Sequence, residues 1–200
     1  MSDERSLVVG LHGTKSVGKD SLCAHLIAID PRFKRLAFAD ALKQDCAAFI
    51  AQYYDGVNAL TATGADKEWI RPLLIAHGMA MRERDPLYWC HKVSDRILYD
   101  QEEREGGSAL DTIHVVTDCR FVNEAKHLRE RFQNNVSAFV LVDVTRSDSP
   151  LPTEEEEKHY RDVAALADYH VRWGCDTPKR QRAHAKKLHD WIGGVMGSGW

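Results

Sequence analysis

The chain alternates short apolar runs with longer stretches in which apolar residues recur every three or four positions. Residues 7–11 (LVVGL) form the first run, too short for a helix, and read as a strand. Leu22, Leu26 and Ile29 then sit at helical spacing over residues 21–29, and Asp30 with Pro31 stops that helix. Residues 35–38 (RLAF) read as a second strand and the alanine-rich 41–54 as a helix ending near Gly56. A loop over 55–66 leads to helices over 67–81 and 86–99, separated by the charged RERDP at 82–86. Residues 100–111 are polar and contain glycine, as a surface connection does. Strands follow at 113–117 and 137–144, with a helix over 124–132 between them. After the loop RSDSPLP, Thr153 and Glu156 fit a capping box, and the acidic run at 154–157 suits the first turn of the helix it would open. A fifth strand is expected at 169–173, a terminal helix at 177–192 and a frayed tail beyond it. Strands separated by helical crossovers predict an α/β fold with a five-stranded parallel sheet flanked by helices.

Composition narrows the class. Two hundred residues suit one domain with a small insertion and are enough to bury a core. A net charge of −3 argues against a general affinity for nucleic acid polymers. The apolar runs are far shorter than a membrane span, and MSDERS at the start has no signal-peptide core. The five cysteines are scattered and form no CxxC pair, which points to reduced thiols and a cytoplasmic setting. The ten histidines show no HExxH and no Cys/His ligand spacing, so no structural zinc site is expected.

Candidate chemistry starts at residues 13–21, GTKSVGKDS. Gly13, Gly18 and Lys19 fit the P-loop pattern G-x-x-x-x-G-K-[ST], between a strand and an amphipathic helix as the motif requires. The backbone of Gly13, Thr14, Lys15, Ser16, Val17 and Gly18 is expected to wrap the phosphates of ATP, with the helix N-terminus adding its dipole. Lys19 would reach the β- and γ-phosphates as a point charge. Asp20 stands where a hydroxyl usually ligates Mg²⁺, and Ser21 follows one place later. A carboxylate there can serve Mg²⁺, directly or through water, or can cap the helix, and both readings stay open.

Acceptor candidates gather at the ends of later strands, where open α/β sheets bind ligands. Asp40 and Lys43 follow strand two. Arg71, Arg82 and Arg84 suit a grip on phosphate, and Trp89 suits stacking on a base, though a solvated helix face with a buried tryptophan has the same pattern. Asp118, Arg120, Asn123 and Glu124 crowd the end of strand three. A metal role for Asp118 competes there with helix capping by Asp118 or Asn123. Arg146 leaves strand four, within reach of donor phosphates or adenine.

In order and spacing, GTKSVGKDS, FADALK, the RPLLIAHG and RERDPLYW stretches, TDCRFVNEA and the VTR after strand four resemble the phage deoxynucleoside monophosphate kinases, across roughly residues 6–175. The GKD-[ST] loop is itself a mark of that family, and Asp118, Arg120, Phe121, Asn123 and Glu124 are the most specific match. The resemblance implies a P-loop nucleoside-monophosphate-kinase fold and transfer of the γ-phosphate of ATP to a deoxynucleoside 5′-monophosphate with Mg²⁺. It makes Lys19, Asp118, Arg82 and Arg120 the catalytic candidates and Asp20, Ser21 and Asp118 the metal candidates. Asp40, Lys43, Arg71, Arg82, Trp89, Arg120, Asn123 and Glu124 become the acceptor-side candidates, and Arg146 a donor-side one. It implies one kinase domain over 1–200, with a helical acceptor-binding insertion at about 41–110 and a lid at about 146–166. Pairing of two chains, and a host cytoplasm for a phage protein, are further implications. Two features depart from the family pattern: Cys119 replaces a residue that is often valine, and the lid's His and Ser-Glu element has no clear counterpart in SDSPLPTEEEEKHY, where Glu156, Glu157 and His159 are the nearest remnants. Dephospho-coenzyme A kinases share the layout and form the near alternative; a non-catalytic ATP-binding module is the third.

Overall fold

The computed structural model describes residues 6–102, 112–133, 137–148, 154–174 and 177–197. Strands β1 (Ser6–His12), β2 (Phe33–Leu36), β3 (Ile113–Val116), β4 (Ser137–Arg146) and β5 (Tyr169–Trp173) form one sheet in the order β2-β3-β1-β4-β5. Every pairing is parallel. Helices α1 (Lys19–Ile29), α2 (Phe38–Tyr53), α3 (Gly64–Arg84), α4 (Tyr88–Glu102), α5 (Val122–Phe132), α6 (Glu154–Ala164) and α7 (Pro178–Gly197) connect and cover it.

β1 shows why the strands read as unbroken apolar runs. Leu7, Val9 and Leu11 enter a core shared with Leu22 and Leu26 of α1 and Leu188 and Ile192 of α7. Val8 enters the opposite core, with Val93 and Ile97 of α4 and Leu128 and Phe132 of α5. Successive side chains point to opposite faces, so a strand between two helical layers is apolar on both. A third cluster, Cys46, Ile50, Ala59 and Ile70, joins α2 to α3. It gives these two helices a small core of their own, while Phe38 of α2 also enters the second core.

Several boundaries differ from the sequence reading. β2 is Phe33–Leu36 rather than 35–38. Phe33 pairs with Ile113 in the core, while Phe38 is already the first residue of α2. α3 absorbs the charged RER and runs to Arg84, leaving only residues 85–87 as the break before α4. There the Asp85 carboxylate accepts the Leu87 N–H at 2.9 Å, and the Asp85 carbonyl accepts the Tyr88 N–H at 3.0 Å. The tail expected to fray is helical to Gly197, because Trp191 and Val195 pack on the first core. The acidic run opens α6 as expected, while Thr153 of the capping box, the loop at 149–153 and the connection at 103–111 lie outside the described residues. Cys23, Cys46, Cys90 and Cys119 are buried free thiols. Among the described residues no helix is long and apolar enough to cross a membrane.

Candidate active site

The phosphate loop joins the end of β1 to α1 and is shaped by two glycines. Gly13 has φ 143°, and a β-carbon there would meet the Val144 carbonyl oxygen at 2.3 Å. Gly18 has φ 93°, and its β-carbon would meet the Trp173 ring at 2.6 Å. Side chains are excluded by conformation and by space at both positions. Trp173, the last residue of β5, also donates its indole N–H to the Val17 carbonyl at 2.6 Å. The far strand of the sheet thus holds the loop from outside.

Lys19 is buried, and its ammonium donates to the carbonyls of Gly13 at 2.7 Å and Thr14 at 2.8 Å. Burial, with the Arg120 charge adding to it, pushes its pKa down to about 8. Its hydrogen bonds go to neutral carbonyls, which an incoming polyphosphate could replace with anionic oxygens.

The helix-cap reading of Asp20 is corrected here. Gly18 is the N-cap of α1, no side chain caps it, and the Asp20 carboxylate instead accepts Arg35 Nε at 3.1 Å. The same guanidinium reaches Asp40 at 2.5 Å, so Arg35 bridges the start of α1 to the first turn of α2. Asp20 is 75% exposed and Ser21 is exposed beside it. Mg²⁺ takes hard oxygen ligands and usually keeps only one or two carboxylates, the rest being water and substrate phosphate. The pair Asp20 and Ser21 fits that chemistry, and among the described residues no cage of three or more His, Cys, Asp or Glu stands ready for a metal. Asp118 is committed elsewhere. Its two oxygens accept the backbone N–H groups of Phe38 at 2.8 Å and Ala39 at 2.9 Å. It caps a helix, but that helix is α2, remote in sequence, and not the α5 that follows it. Burial pushes this carboxyl up, and the two backbone donors hold it down.

Beside the tip of β3 opens a cavity of about 300 Å³, the lower end of the ~300–1,000 Å³ range of small-molecule sites. Phe38, Leu42, Leu74, Ile75, Met79 and Phe121 give it apolar walls. Lys43, Arg71, Arg82 and Arg120 bring four cations to its edge, with Asp118 and Glu124 as the acidic members. Arg120 is exposed, and its guanidinium forms no ion pair among the described residues. Arg82 lies 5.0 Å over the Phe121 ring and 3.4 Å from Glu124 Oε1. Glu124 is 2% exposed. Its Oε2 accepts the N–H of Arg120 at 2.7 Å and of Phe121 at 3.1 Å, the N3 half of a capping box at the start of α5. Burial pushes its pKa up to about 7.

Of the acceptor candidates, Lys43, Arg71, Arg82, Trp89, Arg120 and Glu124 line this cavity, together with Asp118. Asp40 and Asn123 do not. Asp40 is held by Arg35, and the Asn123 amide donates to the Pro86 carbonyl at 2.7 Å, tying α5 to the α3–α4 turn. Trp89 contributes to the floor but is 2% exposed, gives its N–H to the Gly78 carbonyl at 3.2 Å and meets Tyr88 and His77 edge-on. That geometry favours the buried-tryptophan reading over base stacking. Arg71 and Arg82 lie on one face of α3, eleven residues and so roughly 16 Å apart along the axis, too far to share one phosphate. Arg146 pairs with Asp148 at 2.9 Å through Nε.

Sequence reading passed over Arg35 and Trp173 as working residues, and named Phe121 only as part of the family-like motif. Their signal was position alone, each at or beside the C-terminal end of a strand. It also passed over a latch beside the loop. His12 sits between the carbonyls of Cys119, at 3.0 Å, and Tyr160, at 3.2 Å. Tyr160 stacks on it and donates to Asp143 at 3.0 Å. Burial lowers the His12 pKa. Together with buried Val163, these contacts dock α6, the described helix of the expected lid, onto the sheet.

A parallel sheet in this order, with a glycine-framed loop between β1 and α1, defines the P-loop kinase fold. The chain is similar in fold to the dephospho-CoA kinase from Campylobacter jejuni (TM-score 0.51, 10% identity, covering 92% of this chain and 96% of that one). It also matches the shikimate kinase from Aquifex aeolicus (TM-score 0.45, 13% identity, covering 95% and 99%). No protein-family model and no curated protein matches the sequence. At such identities the likeness speaks to the fold alone.

Proposed function

We propose that this chain is a phosphotransferase that moves the γ-phosphate of ATP to a deoxynucleoside 5′-monophosphate. The observation that carries the reading is the cavity beside the β3 tip: apolar walls with Arg82 and Arg120 in its lining, the Arg120 charge being felt by Lys19. A nucleoside monophosphate has this polarity, apolar and flat at one end and dianionic at the other. The resemblance of GTKSVGKDS and TDCRFVNEA to the phage kinases selects the deoxynucleotide.

Residues of the chain divide the work. The loop backbone from Gly13 to Gly18 binds the donor phosphates, and Lys19 exchanges its two carbonyl partners for them. Mg²⁺, when bound near Asp20 and Ser21, supplies charge neutralisation across the donor phosphates. Arg82 and Arg120 hold the acceptor phosphate in line with the donor, so positioning and charge carry the reaction. Asp118 keeps α2, and so the cavity wall, fixed to the tip of β3. Arg146 and the segment at about 146–166 exclude water on the donor side, which limits wasteful hydrolysis. One kinase domain with α2–α4 as its acceptor-binding insertion fits this division.

A second reading, phosphorylation of dephospho-coenzyme A, draws on the likeness of fold to the Campylobacter enzyme. One experiment separates the two: ADP release from Mg·ATP against dAMP, dGMP, dCMP, dTMP, hydroxymethyl-dCMP, the ribonucleotides and dephospho-coenzyme A. Release with deoxynucleotides is the expected result. Release only with dephospho-coenzyme A would replace the acceptor, and ATP binding without any acceptor-dependent release would make the chain a non-catalytic module.

A further inference from the structure

Arg82 stands between two claims. The acceptor phosphate requires it, and so does Glu124, whose Oε1 lies 3.4 Å from its terminal nitrogen. The pair is loose and asymmetric: the Arg82 side chain is 36% exposed and that of Glu124 only 3%. Arg82 can therefore swing toward the cavity at little cost, while the carboxylate cannot follow into water. Glu124 Oε2 is fixed by the backbone of Arg120 and Phe121, so it stays when Arg82 leaves.

The other charged and titratable groups near Glu124 do not replace Arg82. From the β3–α5 connection come Asp118, which repels it, and the Cys119 thiol, which burial holds protonated. Arg120 meets it through the backbone, and its guanidinium is exposed. From α4 comes the Cys90 thiol, pushed up by burial to about 12 and so neutral. A buried carboxylate that loses the one cation it pairs with among the described residues, beside an arriving dianion, has one inexpensive way to shed charge, which is to bind a proton.

We propose that Glu124 is a proton-linked counter-charge of the acceptor site: the anionic group of the acceptor takes Arg82 from it, and Glu124 takes up a proton in exchange. The covalent balance is simple. One proton moves from solvent to a Glu124 oxygen, and no other bond changes. Binding of the acceptor is therefore tighter at the acidic side of neutrality than phosphate ionisation alone would give. Glu124 touches no reacting atom in this scheme and acts through Arg82. The inference deepens the acceptor-site reading above, and its test does not depend on phosphate transfer.

The test follows the Glu124 carboxyl by ¹³C NMR through a pH titration, with and without sulfate, a tetrahedral dianion that does not itself titrate near neutrality. A non-hydrolysable ATP analogue with Mg²⁺ fills the phosphate loop in both samples, so that sulfate reports on the cavity. Glu124→Gln assigns the resonance, and chemical-shift mapping across candidate resonances assigns it if that variant fails to fold. The expected result is a midpoint near neutrality that rises by about one pH unit or more when sulfate binds. Arg82→Ala should produce the rise without sulfate and abolish any further response. A Glu124 midpoint in the ordinary carboxylate range, or one that sulfate leaves unmoved while the Arg82 resonances shift, overturns the proposal. A shift with sulfate but no nucleotide phosphorylated would leave this inference standing and remove the deoxynucleotide reading. Nucleotide transfer with an unmoved Glu124 would do the reverse.

Discussion

The phosphate loop and the cavity meet at the tips of β1 and β3 but present different groups to a ligand. The loop presents backbone: two glycines at positive φ shape it, and two side chains pin its carbonyls, the Lys19 ammonium on two and the Trp173 indole N–H on a third. Its chemistry lies within nine consecutive residues, because what it must present is N–H groups and a helix terminus. The cavity presents side chains, drawn from α2, α3, α4, the β3–α5 connection and the first turn of α5. One half is therefore generic to its motif and the other particular to this chain, and perturbations should separate them.

Lys19→Met should have the largest effect, a loss of transfer of about 10²–10³-fold with the fold intact. The same variant tests the electrostatics. Lys19 has a folded pKa of about 8, below its unfolded value near 10.5. The folded state therefore binds fewer protons in that window, and wild-type stability should rise from pH 8 toward 10.5. Denaturant melts across this window should show the rise in the wild type and lose it in Lys19→Met. Equal slopes would mean that the ammonium is not buried as described.

Arg120→Ala and Arg82→Ala should raise the acceptor KM about ten- to a hundred-fold, the cost of losing a charge-assisted hydrogen bond, while the ATP KM stays put. An effect on ATP alone would move these arginines to the donor side and dissolve the comparison. Trp173→Phe keeps the ring over Gly18 and removes the N–H to Val17. It should raise the ATP KM about fivefold, as for one neutral hydrogen bond of about 1 kcal/mol, and leave the acceptor KM unchanged. If both constants move together, Trp173 merely supports the fold.

The smallest effect is expected at Arg35, whose partner Asp20 is well exposed and whose partner Asp40 is half-buried. Exposed pairs contribute little stability, so Arg35→Ala should melt close to the wild type. It should lower the Mg²⁺ concentration that half-saturates ATP binding, since the guanidinium competes for Asp20. An unchanged Mg²⁺ requirement would place the metal away from Asp20.

Strand and helix order, the parallel sheet and the phosphate loop were legible in the chain. Each rests on local pattern: continuous apolar runs where both faces are covered, and glycines flanking a lysine where backbone must bend close to an anion. The shift of β2 to Phe33–Leu36 was not legible, because RLAF is the more apolar of the two stretches and only pairing with β3 decides the register. Asp118 was read correctly as a carboxylate at a strand tip, but its partners lie on α2, which no spacing in the sequence brings near. Trp89 and Arg71 show the same limit. A tryptophan and an arginine on successive helices have the right chemistry for a base and a phosphate, and only the packed helices show that one is buried and the other stands roughly 16 Å along α3 from Arg82.

By itself, then, the sequence determined what depends on neighbours along the chain: the class of fold, the loop and the types of side chain that could grip an acceptor. The tertiary structure decided which of those side chains face one cavity, which are consumed in holding it together, and that Arg82 and Glu124 share a charge. Those outcomes depend on contacts between residues remote in sequence, where burial and competition for partners outweigh any local preference.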